Sequence, residues 1–167
     1  MKNSLLLFGL LLLSGLFSDA VAQKTYGDLY QVEADATADI DQLRIQAKAE
    51  GKHLLLQVGG NWCPWCYRFH DFVEQNAGLK TIVEREYLVY HLNYSKENKN
   101  EAVLARYRFP QRFGFPVFLV LDADGELLHT QDSALLESGD SYDAKKVGQF
   151  FQSWAPTALD PATYQEQ

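Results

Sequence analysis

Cys63 and Cys66 are the only cysteines among 167 residues, and two positions separate them. Cross-linking near neighbours removes little entropy from an unfolded chain, so stability alone does not favour a disulfide at this spacing. A pair so placed suits redox exchange, metal ligation or an idle cross-link. Structural zinc takes four ligands, and neither a second Cys-x-x-Cys nor a His pair at metal spacing accompanies this one, so no metal site is expected. Redox exchange asks for one sulfur held as an anion and a second within reach of it.

The surrounding elements must meet that demand. Residues 54–58 read as a buried strand entering the pair, and Phe69, Phe72 and Val73 recur at helical spacing after it. Cys66 then falls in the first turns of a helix reaching about Ala77, with Gly78 as its stop. Upstream, Ile40, Leu43, Ile45 and Ala47 punctuate a polar stretch, which predicts an amphipathic helix over 37–48 ending near Gly51. Downstream come a strand over 87–92, a charged helix over 97–107 and an apolar strand over 116–121. Asp124 and Gly125 turn that strand into a partner over 126–130. A polar loop over 131–142 leads to a helix over 144–154 with Val147, Phe150, Phe151 and Trp154 on one face, ended by Pro156. Alternating strands and helices closed by a hairpin predict an α/β domain over 37–156, a central mixed sheet with helices on both faces.

The run Gly60-Asn61-Trp62-Cys63-Pro64-Trp65-Cys66, after a buried strand and opening a helix, resembles the active-site motif of the thioredoxin superfamily. Gly114-Phe115-Pro116-Val117 resembles the same superfamily's cis-proline loop, which precedes the next central strand. The resemblance spans roughly Asp39 to Trp154, and Lys52-His53-Leu54-Leu55-Leu56 is similar to the strand entry of exported bacterial thioredoxin-like proteins. It implies a thioredoxin-like fold and a thiol-disulfide oxidoreductase whose redox-active disulfide, Cys63–Cys66, needs no further cofactor. Its implied partners are exported proteins carrying thiols or disulfides, and an upstream redox partner.

Roles follow for single residues. Backbone N–H groups at a helix start favour an anion, which makes Cys63 the expected nucleophile and Cys66, one turn on, the resolving thiol. Pro64 presets a helical φ and has no N–H to lose. Trp65 offers an uncharged indole where disulfide-donating relatives often carry His, which favours a reductase or isomerase over a disulfide-donating oxidase. Gln57 stands where thioredoxin has a buried acid and cannot relay a proton; His70, four residues after Cys66, is the nearest titratable group or else a solvated helix residue. Trp62 is expected to cover the sulfurs and line a client groove, or to pack in the core. Phe115 and Pro116, with a cis bond between them, resemble the loop that presents backbone to an extended client. Tyr107, Phe109, Phe113 and Phe115 are expected mostly inside. A redox-inactive binding module of the same fold is the competing reading.

Lys2, an apolar run over 5–17 broken only by Gly and Ser, and the small residues Ala20, Val21 and Ala22 predict a secretion signal over 1–22 rather than a membrane anchor. A lead segment over 23–36 follows, and a loose polar tail over 157–167 closes the chain. The protein is thus expected to be periplasmic or secreted, where disulfides persist, without a membrane span once cleaved, and monomeric. A net charge of −7 argues against nucleic acid as a partner.

Overall fold

The computed structural model describes residues 27–165. The expected signal over 1–22, the start of the lead segment and the last two residues lie outside that range. Among the described residues no helix is long and apolar enough to cross a membrane.

The strand β1 (His53–Gly59) is buried along its whole length, as its unbroken apolar run requires of a central strand. It pairs in parallel with β2 (Tyr87–Asn93) and antiparallel with β3 (Val117–Leu121), which pairs antiparallel with β4 (Leu127–Asp132). The sheet order is β2-β1-β3-β4, a mixed sheet. Successive strand residues face opposite sides, and this alternation divides the core in two. Leu54, Leu56, Val58, Val117, Leu119 and Leu121 meet α1 (Ala36–Glu50) and α4 (Glu101–Arg106). Leu55, Phe118 and Val120 meet α2 (Pro64–Gln75), α3 (Ala77–Glu86) and α5 (Ala144–Ser153) on the other side.

Local chemistry sets the boundaries. Asp35 caps α1 by accepting from the N–H groups of Thr37 and Ala38, and Gly51, at φ 65°, ends it in the left-handed region. Asp122 accepts from the N–H groups of Asp124 and Glu126, and Gly125, at φ 81°, completes the hairpin.

Four expectations change. The helix after the cysteines stops at Gln75 and a second one starts at Ala77, because the Asn76 side chain accepts from Leu79 N–H; Gly78 is in the first turn of α3 and stops nothing. The charged helix begins at Glu101 instead of Glu97, since Asn93 and Asn100 tie the preceding turn to β2. The polar loop over 131–142 holds the end of β4, a 3-10 turn at Ser133–Leu136, and a ribbon of β5 (Glu137–Ser138) and β6 (Ser141–Tyr142), with Leu136 and Tyr142 buried in the core. Pro156 opens a short helix, α6 (Pro156–Leu159), and a 3-10 turn follows at Pro161–Tyr164. Along the expected tail these largely exposed turns carry bonds from Thr163 to Thr157 O and from Tyr164 to Ala158 O.

Candidate active site

Cys63 is the N-cap of α2, and Cys66 lies in its first turn. The two are joined by a disulfide of 2.10 Å with Cα atoms 5.3 Å apart. The Cys63 Sγ accepts a hydrogen bond of 3.2 Å from Cys66 N–H, shared with Cys63 O at 3.1 Å, so a backbone donor of the helix start points at the sulfur expected to act as nucleophile. Pro64 occupies the first helical position, where its missing N–H costs nothing. Cys66 is fully buried and Cys63 nearly so.

The loop before Cys63 is fastened to the loop before β3. Trp62 is 53% exposed, so core packing does not describe it. Its Nε1 donates to Tyr94 O at 2.8 Å, and its ring meets Phe115 edge-on at 5.2 Å between centroids. Phe115 stacks on Tyr94 at 5.0 Å and packs against the cysteine pair. The Phe115–Pro116 peptide bond is cis. Of the aromatic group expected inside, only Tyr107 is buried; Phe109 at 57% and Phe113 at 41% are exposed on the turn leading to Phe115.

Trp65, between the cysteines, is half-buried under β6. Tyr142 meets its ring edge-on at 5.5 Å and donates to Trp65 O at 3.2 Å. The Arg68 guanidinium lies 4.3 Å above the same ring, a cation held on the indole face. No motif marks Arg68 in the sequence, although its position three residues after Trp65 puts the two on one helix face.

Beneath the pair, Gln57 is buried and its Nε2 donates both to Tyr30 Oη at 2.8 Å and to Cys66 O at 3.1 Å. Tyr30 is fully buried in one cluster with Cys63 and Cys66, and desolvation drives its hydroxyl far above the usual phenol range, so it stays protonated. Asn61 holds it there: Oδ1 accepts from Tyr30 N–H and Nδ2 donates to Tyr30 O, each at 2.9 Å. The Tyr67 hydroxyl lies within hydrogen-bond reach of both the same Asn61 oxygen and Gly27 O, with one proton to give to either. No periodicity or motif marks Tyr30, which comes from the lead segment and is brought in purely by the fold.

His70 is half-buried, packing edge-on against His91 at 5.6 Å; His91 in turn meets Tyr30 at 5.5 Å. Burial, with His70 alongside, holds the His91 imidazole down at about 4. Gln57, His70 and His91 share a cavity of about 120 Å³ that extends to Glu74 and Val89. Among the described residues, no three His, Cys, Asp or Glu side chains are grouped to hold a metal.

The family pattern for a thioredoxin-like domain matches residues 40–135, more than half of the chain. No curated protein sequence matches. Among solved structures, the chain is similar to a disulphide isomerase from Xylella fastidiosa Temecula1, with a TM-score of 0.66 and 22% identity over 76% of this chain and 96% of that one. It is also similar to the oxidised C-terminal domain of DsbD from Neisseria meningitidis, with a TM-score of 0.52 and 17% identity over 72% and 97%. DsbH oxidoreductase gives a TM-score of 0.52 and 21% identity over 84% and 94%. At these identities the likeness is one of fold.

Proposed function

Because this chain belongs to the thioredoxin-like domain family, we propose that it is a thiol-disulfide oxidoreductase acting on exported proteins through Cys63 and Cys66. The observation that carries the reading is the Cys63 sulfur at a helix N-cap, accepting a backbone N–H and already joined to Cys66. The half-exposed Trp62 and the partly buried Phe115 beside it would give an extended client an apolar wall next to the Phe115–Pro116 turn. The leader-like segment over 1–22 supports an oxidising, periplasmic or secreted setting.

In the reducing direction the Cys63 thiolate attacks a client disulfide, forming a Cys63–client bond and releasing one client sulfur as a thiolate. Cys66 then loses its proton and attacks the Cys63 sulfur. The Cys63–Cys66 bond forms, the second client sulfur leaves with the electron pair, and the client is reduced as the protein is oxidised. Reduction or isomerisation is favoured over disulfide donation, since Pro64 and Trp65 present no charge to the thiolate and Arg68 is occupied by the Trp65 ring. The two cysteines are the whole cofactor of this cycle.

The purified mature protein is expected to reduce insulin with dithiothreitol as donor, and Cys63→Ser to fall to background. Cys66→Ser is expected to accumulate mixed disulfides with clients. Equal insulin reduction by wild type and Cys63→Ser overturns the proposal, and a reduction potential of about −120 mV, that of the strongest periplasmic oxidants, overturns its direction.

A further inference from the structure

We propose that the Tyr30 hydroxyl is the hydrogen-bond donor that stabilises the Cys66 thiolate when Cys66 resolves the mixed disulfide. The inference rests on the oxidoreductase reading above and adds a residue to it.

The hydrogen-bond polarity beneath the cysteines leads there. The Cys66 carbonyl oxygen can only accept, so the Gln57 amide must turn its nitrogen toward it. The same nitrogen, which has no acceptor capacity, faces Tyr30 Oη, so the phenol oxygen accepts and its own proton must point elsewhere. Tyr30 Oη and Cys66 Sγ flank one point in space. A Cβ added to Gly59 would lie 2.7 Å from the oxygen and 2.4 Å from the sulfur. Asn61 fixes the Tyr30 backbone from both sides, so the phenol is held in place before the reaction begins. Gln57 therefore orients the phenol, and the phenol serves the sulfur, at the place where thioredoxin has a buried acid.

Tyr30 keeps its proton throughout. The proton lost by Cys66 goes to solvent and the departing client sulfur takes one up, so the step needs no further reactant. Hydrogen bonding to an anion favours the anion, and removing the phenol proton must move Cys66 ionisation to higher pH. The groups facing the pair are Tyr67 and His70 from α2, His91 from β2 and Tyr142 from β6, with Glu74 across the cavity. Burial raises both tyrosines and keeps His91 neutral well below neutrality.

The test uses reduced full-length protein and 5,5′-dithiobis(2-nitrobenzoate), which needs no natural client. Attack by Cys63 releases a first thionitrobenzoate, and attack by Cys66 on the resulting mixed disulfide releases a second. His70→Gln is carried in all proteins compared, so that its imidazole adds nothing to the profile. Tyr30→Phe is expected to leave the first phase unchanged and move the pH midpoint of the second up by about one unit, making it about three- to tenfold slower at neutral pH. Gln57→Leu, which frees the phenol without removing it, is expected to give a smaller shift of the same sign and carries the test if Tyr30→Phe does not fold. A second phase with the wild-type pH profile in the folded variants, or equal slowing of both phases, overturns the role of Tyr30 and leaves Cys63 as nucleophile standing. A first phase that survives Cys63→Ser overturns that reading too.

Discussion

Gly59 and Gly60 show how little room the chemistry leaves around it. A Cβ on Gly60 would lie 2.4 Å from Trp62 Nε1 and 2.9 Å from Tyr94 O, the two ends of the bond that ties the loop before Cys63 to the end of β2. At Gly59 the obstacle is the Cys66 sulfur itself, which is packed on every side and cannot swing away. Gly59→Ala is therefore expected to cost about 1–3 kcal/mol in unfolding free energy by urea denaturation, a typical overpacking penalty. The residues named from the sequence do gather here: Trp62, Trp65, Gln57 and Phe115 all pack or bond around one disulfide. Their types and order around a Cys-x-x-Cys were enough to find them. Tyr30 was not legible, because its contact with Gln57 joins residues 27 positions apart and a buried tyrosine in a polar lead segment leaves no local signal.

At the scale of elements, Asn76 connects two helices with one side chain. Its backbone N–H closes α2 on Val73 O, and its Oδ1 accepts from Leu79 N–H to open α3. Asn76→Ala is expected to lose about 1 kcal/mol of stability by chemical denaturation, the usual cost of removing an N-cap. Strands β1 and β3 were readable because both their faces are buried, which writes a continuous apolar run into the sequence. The α2–α3 boundary was not, since Gly78 carries the usual mark of a stop while the capping bond at Asn76 settles the matter two residues earlier. The ribbon of β5 and β6 was equally hidden. Two-residue strands have no periodicity, yet they deliver Tyr142 to the Trp65 ring.

For the whole molecule, the buried imidazole of His91 links acidity to folding. The unfolded chain takes up this proton near the ordinary histidine value and the folded protein only at about 4, so the folded state loses stability as pH falls through that interval and keeps it above. Urea midpoints at neutral and at acid pH are expected to show His91→Gln losing about 2 kcal/mol less than wild type on acidification, after allowance for the partial exposure of this edge-strand residue. The fold class was legible at this scale because strands and helices alternate along the chain before a closing hairpin, an order that places helices on both faces of a mixed sheet. Asn61 has a wider consequence through its hold on Tyr30, which lies upstream of residues 40–135, the stretch that matches the family pattern. Two proteins identical over that stretch would still differ at the sulfur if their upstream segments differed. An excised minimal domain would inherit the cysteines and forfeit the phenol, so transplanting this motif faithfully means carrying its distant strap along.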